Sequence, residues 1–306
     1  MDLFYILFFS LLGLALVGQI LNSLGFSPQG KTPGLGRSFL WILFSLLLGL
    51  WLGLVKGAEK AMSFLGVFGI EYLLSLDNLI TFHLIFEFSK TTSSLRQKIL
   101  SIGLLSAVLL RLLLIVVGLY AASNWSLIYP LFGLFLFYGA YRLFHPKEEK
   151  PPSLLSGTKR TKRGPFVIDP QQKWLFLSNG KIGVGSAALT LLAIESSDIF
   201  FALDSVPASF ALTDDPLVII GGNICGILGL RSLYFLVEKM AQKIISIRKL
   251  SAWLLLLMGA ELIAKFWVEI PPLYSFIALV ALCILHELKE RRLLKQKRKA
   301  AKPAQK

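Results

Sequence analysis

Apolar residues come in long blocks along this chain, each about the length a helix needs to cross hydrocarbon, with short polar turns between them. Nine blocks predict nine spanning helices: Leu3 to Leu24, Phe39 to Val55, Ala61 to Phe88, Ile99 to Ala121, Trp125 to Phe144, Ile182 to about Leu212, Leu217 to Val237, Leu250 to Trp267, and Pro272 to about His286. The first block has no basic stretch ahead of it and no small-residue cleavage site, so it reads as a retained span. Ser27 to Gly36 is a Gly/Pro-rich loop, and Thr213-Asp-Asp-Pro216 is a turn with helix-start chemistry.

Composition agrees: 55% of residues are hydrophobic, 16% are charged, and mean hydropathy is +0.68. The expected fold class is an all-α polytopic membrane protein, with one transmembrane domain over 1–290 and a basic tail over 291–306. The formal charge of +14 does not point to nucleic acid, because the excess is local. The loop from His145 to Lys181 holds eight Lys and Arg against three acids, and the stretch from Glu287 onward holds nine against two. Basic segments flanking spans are cytoplasmic, which nine spans allow only with the N-terminus outside, and a bacterial inner membrane is the expected location. The exception is the outer turn carrying Lys56 and Lys60.

Two acidic runs interrupt this apolar background. One is Glu71-Tyr-Leu-Leu-Ser-Leu-Asp77-Asn78, and the other is Glu195-Ser-Ser-Asp198-Ile-Phe-Phe-Ala-Leu-Asp204-Ser205-Val-Pro207. Carboxylates are costly in hydrocarbon, so those found there face an interior, pair with something, and mark a functional site. Glu71 falls about 15 Å into its span, near the midplane, and Glu195 and Asp198 lie roughly 20 to 24 Å into theirs, somewhat past the middle.

In both runs two acids stand six apart, and the second is followed by a small polar residue, Asn78 or Ser205. Six residues turn the second acid by about 120° on a regular helix, so both face one cavity only if that cavity is wide or the helix breaks. Pro207 suggests a break. The third and sixth spans run in opposite directions in this topology. This suggests an inverted repeat of three plus three spans, about 61–144 and 182–267, an arrangement secondary transporters use to build midplane ion sites.

Carboxylate oxygens, with Asn78, Ser205 and Asn223 as neutral donors, suit hard divalent cations such as Mn²⁺, Mg²⁺ or Ca²⁺. Without a cation, clustered carboxylates cannot all stay ionised, so cation binding is expected to release protons. Arg111 and Arg231 are the available counter-charges. Two arginines leave most of five acids unmatched. Glu261 is expected to pair with Lys265 one turn on and is set outside the site. His83 reads as part of a packed helix face, and Cys225 and Cys283 read as small hydrophobes rather than a disulfide or metal ligands.

Leu-Ser-Leu-Asp77-Asn78, Asp198-Ile-Phe-Phe-Ala-Leu-Asp204-Ser-Val-Pro-Ala208 and Asn223-Ile-Cys-Gly-Ile-Leu-Gly-Leu-Arg231-Ser-Leu-Tyr234 resemble the signature of the TerC (tellurium resistance protein C) family of integral membrane proteins. The resemblance covers most of the chain from the second span onward. It implies an association with tellurite resistance by name and, for several members, export of manganese. It carries the suspected metal site onto Glu71, Asp77, Glu195, Asp198 and Asp204, to which the reading of oxygen donors adds Asn78. Cys225-Gly226 stands where the family usually has Phe-Ala, and Phe200 where a smaller apolar residue is usual, which bears on metal preference.

The expected function is therefore export of a divalent cation, Mn²⁺ foremost, coupled to protons. The cation is cargo, and no cofactor is expected. The bilayer and membrane-protein partners complete the expected environment. The competing reading, from plant relatives linked to thylakoid protein insertion, is a membrane scaffold or insertion factor; it should tolerate Asp77→Asn or Asp204→Asn. An intramembrane aspartyl protease is disfavoured because neither Asp77 nor Asp204 sits in a Gly-x-Gly-Asp context, and no enzyme activity is expected.

Overall fold

A computed structural model describes residues 3–23, 35–145, 174–178, 181–237 and 244–301. The described residues form nine helices: α1 (Leu3–Ser23), α2 (Leu35–Lys56), α3 (Ala58–Phe88), α4 (Ser93–Asn124), α5 (Ile128–Phe144), α6 (Ser186–Leu212), α7 (Pro216–Val237), α8 (Ile244–Lys265) and α9 (Pro272–Ala301). They fall on the nine apolar blocks. Five stretches are long and apolar enough to cross a membrane: Phe39–Lys56, Ala58–Phe88, Ser93–Asn124, Ser186–Leu212 and Pro272–Leu293. The protein is an all-α membrane protein, and most of the basic loop after His145 lies outside the described residues.

Helix α4 shows why lipid is its solvent. Leu105, Leu109, Leu113, Val116, Val117 and Tyr120 form an exposed stripe, while Leu104, Ala107, Val108, Arg111, Ile115 and Gly118 are buried behind it. The outer face is as apolar as the inner one, and a contiguous stripe of that kind is a liability in water.

Several boundaries differ from the sequence expectation, among them the starts of α4 at Ser93 rather than Ile99 and of α8 at Ile244 rather than Leu250. Lys181–Val184 (β2) pairs antiparallel with Leu175–Ser178 (β1), Leu175 opposite Val184 and Ser178 opposite Lys181, so α6 starts at Ser186 rather than near Ile182. Asp198 thereby comes to the middle of its helix rather than past it. No break occurs at Pro207, which lies inside a continuous α6. Helix α9 runs beyond His286 to Ala301, because the residues that follow are rich in Leu, Lys, Glu and Arg, all good helix formers.

The helices of the two halves pack as a pair of matching sets. Helix α3 contacts α6, α4 contacts α7, and α5 contacts α8; α3 also contacts α7 as α4 contacts α6, and α3 contacts α8 as α5 contacts α6. Exchanging α3, α4 and α5 with α6, α7 and α8 returns the same set of contacts. Helices α3 and α6 are antiparallel. Gly66 near the start of α3 lies against Leu212 at the end of α6, while Leu79 and Phe82 meet Ile194 across a shared cavity. The α5–α8 contact is closest at two glycines: a Cβ on Gly133 would stand 2.7 Å from the Gly259 carbonyl oxygen. Only small residues let helix backbones approach this far.

At the end of the bundle where α6 turns into α7, two acids are held by lysines. Lys60 pairs with Asp215, and Lys265 Nζ lies 2.6 Å from Asp214 Oδ2 and donates to the Phe210 carbonyl at 2.9 Å. Lys60, an exception to the charge rule, is thus matched by an acid, and Lys56 Nζ sits 5.3 Å from the centre of the Phe4 ring. The expected Glu261–Lys265 pair is overturned by the same contacts. Lys265 turns toward Asp214, and Glu261 is buried with Ser275 of α9 beside it.

Candidate functional site

Glu71 sits near the middle of α3, only 1% exposed. The Ser75 hydroxyl donates to its Oε1 at 2.6 Å, and Arg111 Nη1 from the middle of α4 forms an ion pair with the same oxygen. Arg111 is itself 1% exposed. A buried guanidinium must be matched by a buried anion, because neither charge can turn to water. Gly226 on α7 makes the close packing around Glu71 possible: a Cβ there would lie 2.8 Å from Glu71 Cβ.

Asp198, in the middle of α6, lies within electrostatic reach of both Arg111 and Glu71. These three groups are incompletely paired. Glu71 Oε2, Asp198 Oδ2, and the Nε and Nη2 of Arg111 are buried with no hydrogen-bond partner among the described residues.

Glu195 lies three residues before Asp198 on α6 and is half-buried. It accepts a 2.6 Å hydrogen bond from the Ser106 hydroxyl of α4. Both acids line a cavity of about 40 Å³ between α4 and α6, which Leu79 and Phe82 of α3 and Ile227 of α7 also line. The volume is room for roughly two or three water molecules. Gly103 forms part of the α4 wall: a Cβ there would still stand 3.5 Å from Glu195 Oε1.

Asp77 and Asp204 belong to a second group. Arg248 Nε, from the first turns of α8, donates to Asp77 Oδ1 at 3.2 Å, and Asn78 is buried beside it. Asp204 is within electrostatic reach of Arg142, in the last turn of α5, and of Asp77. Gly139 on α5 leaves it room, since a Cβ there would lie 3.0 Å from Asp204 Oδ1. Ser205 is buried with its hydroxyl unpartnered among the described residues. Asn223 is turned to packing: its amide donates to Ser209 Oγ at 3.0 Å and to the Ile219 carbonyl at 2.9 Å.

The six residues read from the sequence therefore fall into two groups: Glu71 and Asp198 beside Arg111, with Glu195 next to Asp198 and Ser106, and Asp77, Asn78 and Asp204 near Arg248 and Arg142. Among the described residues, no three His, Cys, Asp or Glu stand close enough to hold one metal ion in this conformation. His83 packs 6.4 Å from the ring of Tyr234, and Cys225 and Cys283 form no disulfide. The side chain of Arg231 lies outside the described residues.

Two arginines that face these acids escaped the sequence reading. Arg142 and Arg248 stand at helix ends, where basic residues look like loop charge. The usable signal was side-chain length: an arginine in the end turn of a span can reach its head group inward as readily as outward.

The profile of the Integral membrane protein TerC family matches residues 56–299. A Photorhabdus laumondii protein provisionally named membrane-bound redox modulator Alx is 29% identical over 276 residues, 84% of this chain and 86% of its own length. An uncharacterized membrane protein of Myxococcus xanthus, STKORF319, is 31% identical over 252 residues, 81% of this chain and 79% of its own. The Escherichia coli K12 protein of the same provisional name, Alx, is 30% identical over 248 residues, 76% of each chain. No solved structure matches the chain at a significant level.

Proposed function

Because this chain belongs to the TerC family of integral membrane proteins, we propose that it carries a divalent cation, Mn²⁺ foremost, out of the cytoplasm across a bacterial inner membrane in exchange for protons. The observation that carries this reading is the cavity where Glu195 and Asp198 meet, in a helix interior that lipid surrounds. Acids kept there with open space beside them and an unpartnered oxygen on Asp198 are what a transient cation needs. Hard cations take such oxygens, and Ser106 adds a neutral one.

Charge matching supports the same stoichiometric idea. Five carboxylates, Glu71, Asp77, Glu195, Asp198 and Asp204, stand with the guanidiniums of Arg111, Arg142 and Arg248 among the described side chains. With all five ionised, that set would carry two negative charges in excess, the complement of one divalent cation or two protons. Glu195 and Asp198 are the entry pair in this reading, and Glu71, Asp77, Asn78 and Asp204 complete the acidic interior through which the ion passes.

The Alx relatives carry a redox role in their provisional name. For this chain that role would be indirect, through the metal content of the cell, since its two cysteines lie on different helices and form no disulfide. The test is Mn²⁺ uptake into inverted membrane vesicles, with and without a pH gradient, for the wild type and Asp198→Asn. Uptake that depends on the gradient and falls by about 100-fold or more in the variant is expected, since even supporting residues cost 10–100-fold at metal sites. Equal uptake by both proteins would remove transport and leave the scaffold reading.

A further inference from the structure

The geometry points to Arg111 as a resident cation that competes with the transported ion for Asp198 and is parked on Glu71 when that ion binds. The inference rests on the transport reading above and changes the role of Glu71. It becomes the seat of a positioning residue rather than a ligand of the metal.

Arg111 is a full positive charge in the middle of an apolar helix, with no path to water. It touches Glu71 through one nitrogen and leaves Nε and Nη2 without hydrogen bonds among the described residues, while Glu71 Oε2 and Asp198 Oδ2 are equally unpartnered. A guanidinium prefers a two-pronged grip on one carboxylate. Here it has taken neither grip. It stands between two acids with donors and acceptors in reserve, a position from which modest side-chain rotation closes a fork on either one.

The cavity decides which way it moves. Ala107, one helical turn before Arg111 on α4, lines the space that holds Glu195 and Asp198, and residues four apart share a helix face. A cation entering there meets Glu195, Asp198 and Ser106 first and repels the guanidinium one turn away. Arg111 then closes on Glu71, whose free oxygen completes the fork, and Asp198 is released to the cation. When the cation leaves, Arg111 returns toward Asp198, so that carboxylate regains a positive charge beside it. The affinity of the site is therefore set by Glu71, a residue the cation does not touch.

This makes a prediction of sign that direct ligation by Glu71 does not. In Glu71→Gln the arginine loses its seat, falls wholly on Asp198, and Mn²⁺ binding to the detergent-solubilised full chain should weaken at least tenfold. Adding Arg111→Met removes the competitor, and Mn²⁺ affinity should return to the wild-type level or tighter, while turnover in vesicles falls because release slows. A double variant that binds as weakly as Glu71→Gln would overturn the proposal and leave Glu71 a metal ligand. Should the methionine double variant not fold, as judged by size-exclusion chromatography, Glu71→Gln with Arg111→Gln gives the same two outcomes in a pair able to hydrogen-bond. If the wild type binds no Mn²⁺ and Asp198→Asn matches it, the transport reading itself has failed, which is a different result.

Discussion

The α3–α7 and α4–α6 contacts occupy equivalent places in the two halves, yet one is shut and the other holds a cavity. In the first, a Cβ on Gly222 would stand 2.6 Å from Val67 Cγ1 and one on Gly226 would run into Glu71. In the second, a Cβ on Gly103 would find its nearest atoms at 3.5 Å and 3.9 Å, on Glu195 and Ile194. Val67 and Glu71 stand in α3 as Ile194 and Asp198 stand in α6, four residues apart in each case. The same local pattern thus gives one buried acid packed tightly against a neighbouring helix and another that borders a cavity. A shared spacing of residues therefore does not impose equal packing.

The largest effect should come from the residue that joins the two faces. Arg111→Met leaves Glu71 buried without its counter-charge, and breaking a buried pair in this way costs about 3–5 kcal/mol. Thermal unfolding in detergent should show a large drop, most of it recovered when Glu71→Gln is added. A drop that the second substitution does not relieve would mean the arginine matters for packing alone.

Next in size, Gly222→Ala should destabilise by about 1–3 kcal/mol, because the methyl meets Val67 and the Phe68 backbone and the two helices must part. Ser106→Ala removes the hydrogen bond to Glu195. A bond to a charged group is worth about 1.5–3 kcal/mol, so Mn²⁺ affinity should fall by about tenfold, read by titration of the solubilised protein. The smallest effect belongs to Gly103→Ala, whose methyl finds ordinary contact distances, and stability should change by about 0.5 kcal/mol or less. If the two glycine substitutions cost the same, the difference between the faces is not real.

Much of this was legible in the sequence. The nine helices follow from block length, and the count of spans with the Lys and Arg between them put the two acidic runs on oppositely directed helices. What the sequence did not carry was the partner of each acid. Arg111 was visible because it interrupts an apolar span. Arg142 and Arg248 were not, because a charge at a helix end satisfies the topology rule whichever way its side chain points. Lys265 was misassigned for a related reason: spacing along α8 offered Glu261, while the fold brought Asp214 from the turn between α6 and α7. The start of α6 was missed because Lys181–Val184 is as apolar as a helix turn and only its partner strand distinguishes it.

Helix α9 is about 45 Å long at 1.5 Å per residue, against a hydrocarbon core of about 30 Å. The surplus is the segment that begins near Lys289, where lysines and arginines dominate, and it must stand among phosphate head groups. Since Ser275 and Leu279 are the buried residues among those described in α9, this helix is loosely held. A thinner or thicker bilayer is therefore met by tilting this one rod, and hydrophobic mismatch is absorbed at the rim before it reaches the carboxylates.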